Sequence, residues 1–130
     1  MNTGYGFGTS VDLPFDAAIA RVTEALQQEG FGVLTEIDVA ATMKKKIDVD
    51  MPPYRILGAC NPKLANQAIS AEPSIGLLLP CNVVVRQDAA GQVHVEFMDP
   101  QAVMQLVGRP EVADLAADVR ARLERVMAAL

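Results

Sequence analysis

Two runs of alternating side chains stand close together near the middle of the chain, Cys81 to Gln87 and Val93 to Met98, with only a short polar stretch, Asp88-Ala89-Ala90-Gly91, between them. Val83 and Val85 in the first run, and Val93, Val95 and Phe97 in the second, recur with period two. That period puts them on one face of an extended backbone, and a Gly-containing polar turn joins the runs as a β-hairpin. A hairpin with one apolar face cannot stand alone in water, so the rest of the chain must supply further strands beside it and a layer to cover it.

The remaining segments supply both. Phe7 to Val11 reads as a short first strand, led in by Gly4, Gly6 and Gly8. Those glycines are not a phosphate loop, because no strand precedes them and no Gly-Lys-Ser/Thr follows. Asp12 and Pro14 mark a helix start, and Phe15, Ile19, Val22 and Leu26 step by three or four along one face until Gly30 ends the helix in a left-handed C-cap. Phe31, Val33, Thr35 and Ile37 are expected on the buried side of a second strand. Asp38 then caps a short helix that carries Val39, Met43 and Ile47 inward and Lys44, Lys45 and Lys46 into water, where cations near a helix C-terminus are favoured.

Tyr54 to Cys60 reads as a third strand, and Asn61-Pro62 closes it and opens a helix with Leu64, Ala68 and Ile69 available for packing. Glu72 to Pro80 holds too many breakers for a helix, yet its Ile75 and Leu77 to Leu79 are too apolar to lie in solvent. Asp99-Pro100 caps a short helix running toward Gly108. Pro110 opens a last helix in which Val112, Leu115, Val119, Leu123, Val126 and Leu130 predict packing along its whole length. The expected fold is therefore α+β, a two-layer sandwich with a mainly antiparallel or mixed sheet of about five strands and its helices mostly on one face. At 130 residues the chain, 1–130, makes a single domain that folds without disulfide or metal staples.

Composition narrows the function classes. Apolar residues are 51% and charged residues 21%, outside the range of disordered chains. The net charge of -5, with the three lysines as the one basic cluster, repels phosphate backbones, so no nucleic acid partner is expected. The apolar run Ile75 to Leu79 is far short of the roughly 20 residues a bilayer span needs, so no membrane partner is expected either. No signal-like segment opens the chain, and Cys60 and Cys81 lack Cys-x-x-Cys spacing, which points to a cytoplasmic protein with free thiols.

The two cysteines mark the one place where chemistry is plausible. Each is followed by Asn and flanked by Pro, in Ala59-Cys60-Asn61-Pro62 and Pro80-Cys81-Asn82-Val83, and each stands at a strand end. Antiparallel pairing of those strands would bring the thiols to the same end of the sheet. A thiol beside the start of the following helix is expected to have a lowered pKa. The pair is open to reading as a redox couple, a nucleophile or a soft-metal site, or as buried small side chains filling space. Two thiolates alone fall short of a four-ligand zinc site, so His94, Asp99, Met98 or a second chain would have to complete it. His94, the sole histidine, alternates with Glu96 away from the apolar face and is expected to be exposed or interfacial.

The segments Gly30-Phe31-Gly32-Val33-Leu34-Thr35-Glu36-Ile37-Asp38-Val39, Tyr54 to Pro62, Ile75 to Val85 and Met98-Asp99-Pro100, in that order, resemble the bacterial and archaeal family named domain of unknown function DUF302. The resemblance runs from about Phe7 to the end. It implies a small α+β domain that tends to form homodimers, and it brings no catalytic, cofactor or metal assignment with it. The expectation is a homodimeric cytoplasmic binding module that holds a small ligand or soft metal at Cys60, Asn61, Pro80, Cys81 and Asn82, with thiol redox sensitivity. The alternatives are a cysteine-dependent enzyme with His94 as base, the less favoured of the two classes, and a structural interaction dimer with no ligand.

Overall fold

The computed structural model describes residues 2–130 and contains one five-stranded sheet with five α-helices and a 3-10 helix. Along the chain these are β1 (Gly6–Val11), α1 (Phe15–Gln28), β2 (Gly32–Asp38), α2 (Val39–Ile47), β3 (Tyr54–Cys60), α3 (Pro62–Ala71), the 3-10 helix (Pro73–Leu78), β4 (Cys81–Gln87), β5 (Val93–Met98), α4 (Pro100–Met104) and α5 (Pro110–Ala128). The strand order is β1-β5-β4-β3-β2, and every neighbouring pair is antiparallel. The β4–β5 hairpin thus sits at the centre, with Val83 opposite Phe97 and Val85 opposite Val95. Gly91 takes positive φ in the turn, and the Asp88 carboxylate accepts from the backbone N–H of Ala90 and Gln92.

One face of this sheet makes the main core. A row runs across four strands from Phe7 through Phe97 and Val83 to Leu57, with the Phe7 and Phe97 rings stacked at 5.6 Å. Val22 and Leu26 of α1 and Leu123 and Val126 of α5 cover it and are themselves buried. The alternate residues Ile56, Val84, Arg86 and Glu96 stay partly exposed, so the sandwich has two layers and one solvent-facing sheet side. A second cluster, Ala68, Ile75, Met104, Val112 and Ala116, joins α3, the 3-10 helix, α4 and the first half of α5 beyond the sheet end. Helix α5 therefore packs along its length, as its periodicity predicts, but against two different cores.

Gly30, at φ +86°, ends α1 in a Schellman arrangement: Phe31 N–H donates to Leu26 C=O and Gly30 N–H to Gln27 C=O. Asp38 caps α2 through Ala41 N–H. Other local expectations are corrected. Asp12 does not cap α1, because the helix begins only at Phe15 and Pro14 occupies the cap position with no side-chain bond. Thr35 and Ile37 are exposed rather than buried, because a bulge between Val33 and Thr35 shifts the register of β2. Helix α2 buries no residue, and Ile47 is 63% exposed, since α2 follows the edge strand and reaches neither core. The breaker-rich stretch after α3 is helical after all, as a 3-10 turn that sinks Ile75 into the second cluster and leaves Leu77 in solvent.

Candidate functional site

Strand β3 ends at Cys60, and the chain turns directly into α3. Asn61 makes that turn possible, because its extended backbone leaves the strand while Oδ1 accepts from Leu64 N–H at 3.2 Å. The chain comes back through the 3-10 helix and Pro80, which follows a cis peptide bond, into Cys81 at the head of β4. Ala59 pairs with Cys81, so the expectation that β3 and β4 are antiparallel neighbours holds, and both thiols lie at one end of the sheet.

Between that sheet end and the second cluster lies a cavity of about 390 Å³. Cys60, Asn61, Pro80 and Cys81 line it. Asn82 does not. It is exposed, and strand alternation turns it to the opposite side of β4 from Cys81 and Val83. Much of the rest of the wall comes from residues that the sequence does not assign to a site: Leu34 and Thr35 at the β2 bulge, Met104 of α4, and Val112, Leu115 and Val119 of α5. The periodicity of α5 shows which of its residues turn inward, but which cavity they border depends on how distant segments pack. Leu34, the unpaired bulge residue, and Ile69 of α3 stand at the rim, 65% and 45% exposed.

The thiols are free. Cys81 is buried, and that burial, with Cys60 nearby, pushes its pKa up to about 11. Burial also raises Cys60. The helix start beside Cys60 does not lower it, contrary to the sequence expectation, because α3 offers its first-turn N–H groups to Asn61 and the thiol sits among apolar neighbours. Both groups are therefore neutral thiols near pH 7.

His94 lies elsewhere. It pairs with Arg86, five residues along β4 from Cys81, which at about 3.4 Å per residue places it roughly 17 Å away. There its Nε2 is 2.8 Å from Asp88 Oδ2 and its Nδ1 3.0 Å from Ser10 Oγ, so it ties the hairpin turn to β1. That hydrogen bond holds the Asp88 carboxyl below its ordinary pKa. Rather than exposed, the His94 side chain is largely buried, at 13%. A nucleophile–base pair of Cys60 or Cys81 with His94 is excluded by this register. Asp99 caps α4 and is held by Arg120 of α5, whose guanidinium also lies 4.7 Å over the Phe7 ring. No group of three or more His, Cys, Asp or Glu side chains with metal-binding placement occurs among the described residues.

A family model, that of the domain of unknown function DUF302, matches residues 7–130. The chain belongs to the DUF302 family. Among solved structures it is similar to an uncharacterised conserved DUF302 protein from Bacillus stearothermophilus, with 29% identity, a TM-score of 0.89, and coverage of 96% of this chain and 97% of that one. No curated protein matches it significantly. The all-antiparallel α+β sheet is thus a DUF302 fold. No helix of the described residues is long and apolar enough to cross a membrane.

Proposed function

We propose that this DUF302 domain is a cytoplasmic binding module that holds a small molecule in the cavity at the Cys60/Cys81 end of its sheet. One observation carries the reading: a concave space of about 390 Å³, of the size that small ligands occupy, bounded by Cys60 and Asn61 at the end of β3, by Cys81 at the head of β4, and by five further elements. The soft-metal alternative has less support, because two neutral thiols joined in the cavity by no His, Cys, Asp or Glu ligand, only by the Met104 thioether, make a poor ligand set. The thiols are better placed as walls of the cavity; being neutral near pH 7, with Cys81 buried, they are slow to oxidise, so the redox sensitivity expected from the sequence has less support than ligand binding.

The module works as a homodimer in this reading. Helix α2 buries nothing, and Ile47 at its end, Val49 just after it and Ile37 of the edge strand before it are all exposed, apolar surface that this chain leaves uncovered.

Native mass spectrometry of protein purified without oxygen tests both parts. The expected spectrum shows a dimer with one non-covalent passenger per chain, lost when Ala65 in the cavity wall is changed to Trp. A passenger-free parent whose melting temperature no compound in a metabolite panel raises would overturn the binding-module reading.

A further inference from the structure

The cavity that the proposed function assigns to a small molecule has a wall of unusual chemistry. No Asp, Glu, Lys, Arg or His side chain lines it. Its polar side chains are two, Asn61, whose Oδ1 is already used by Leu64 N–H, and the exposed Thr35, whose hydroxyl lies over the open side of Gly58. The remaining heteroatoms are the Asn61 amide nitrogen and three sulfurs, the Met104 thioether and the two thiols, which are uncharged at neutral pH. A charged ligand group placed inside would lose its hydration and meet no opposite charge, with only the Asn61 amide and the Thr35 hydroxyl to set against an otherwise apolar wall, a cost that disfavours it in the interior.

We infer that the ligand is an uncharged, hydrocarbon-rich molecule whose apolar body fills this cavity past the Leu34 and Ile69 rim. The inference rests on the binding-module reading and adds the chemical class of the ligand. Size agrees with it: the space equals about a dozen water volumes, enough for a medium hydrocarbon chain or a two-ring system. The rim agrees too. Leu34 and Ile69 hold apolar surface in solvent at the mouth, where a polar ligand would find polar side chains more useful. A small molecule is favoured over a polypeptide because a space of about 390 Å³ walled by β3, α3, the 3-10 helix, α4 and α5 can hold a small molecule whole, whereas a docked helix or strand needs a longer groove.

The probe is N-phenyl-1-naphthylamine, an uncharged fluorophore that brightens in apolar surroundings, with 1-decanol and decanoate as competitors of equal chain length. The expected result is saturable fluorescence, displaced by decanol at a concentration at least tenfold lower than by decanoate. Saturating decanol should also slow modification of Cys81 by methyl methanethiolsulfonate, which reports occupancy at this wall. Ala65→Trp should weaken probe binding at least tenfold with unchanged circular dichroism. Gly76→Phe is the second variant, since a Cβ there meets no neighbour within 4 Å and the added ring can narrow the cavity without straining the fold. Decanoate competing as well as decanol, or both variants binding the probe normally, would overturn the inference. If the probe fails to bind while native spectra show a polar passenger, the ligand class is wrong and the binding module stands; if neither binds, both fail.

Discussion

Pro80 rests on the bare backbone of Gly58: a Cβ on Gly58 would stand 2.9 Å from Pro80 Cγ and closer still to Thr35 Oγ1. The absent side chain at the middle of β3 is what allows the bulged edge strand and the proline ahead of β4 to close together beside the cavity. Gly58→Ala should destabilise the domain by about 1–3 kcal/mol through this overpacking. Urea denaturation measures it, and an unchanged midpoint would show that Thr35 and Pro80 move aside freely.

Asn61→Ala removes the cap of α3 and should lower stability by about 1 kcal/mol, whereas Asn61→Asp should retain most of it because the carboxylate still accepts from Leu64 N–H. Equal losses in the two variants would show that the amide acts through another contact.

The Cys81 thiol, with its pKa near 11 against an ordinary 9.0, gives a defined alkaline response. The folded state keeps the proton that the unfolded state loses first, so stability is full below about pH 9 and falls as pH rises through 11. The part due to this group is about 2–3 kcal/mol. Denaturation curves of parent and Cys81→Ala between pH 8 and 11, in roughly half-unit steps, should diverge by that amount. At neutral pH, iodoacetamide should alkylate Cys81 about a hundredfold more slowly than free cysteine. Alkylation at the free-cysteine rate would contradict the burial seen here.

Arg120 of α5 links two places at once, the Asp99 carboxylate that caps α4 and the face of Phe7 in the main core. Arg120→Ala should cost about 1–3 kcal/mol, from the charge-assisted hydrogen bond and the ring contact together. Arg120→Lys should recover little of it, because an ammonium does not reproduce the planar stack. A thermal melt of the three proteins decides it.

Ile47→Asp places a charge in the exposed apolar surface of a helix that contributes nothing to either core. Monomer stability should stay within about 0.5 kcal/mol of the parent, while sedimentation velocity should show the dimer dissociating. A variant that remains dimeric would move the interface away from α2.

Much of the framework was legible because it is local. The hairpin alternation, the Gly30 terminus of α1 and the boundary at Cys60-Asn61-Pro62 each follow from a few adjacent residues and recur in the structure at the expected places. The candidate site was legible in half. Paired Cys-Asn turns located its sheet end, but Asn82 belongs to the other side of its strand, which period two states plainly once Cys81 is known to face the cavity. The missing half could not be read from neighbours along the chain. The register shift at Leu34 is a backbone event with no sequence mark, and the exposure of Ile47 depends on α2 leaving an edge strand. Val112 and Val119 announce an inward face through their spacing without naming what they meet.

Helix α5 carries Val112 and Ala116 in the cluster around the cavity and Leu123 and Val126 in the main core, as one uninterrupted 19-residue rod. Neither compartment can melt without disturbing the rod that completes the other, so the domain should unfold in one transition in place of two. An occupant at the sheet end would therefore lend its binding free energy to the whole chain, including the far strands that it never touches.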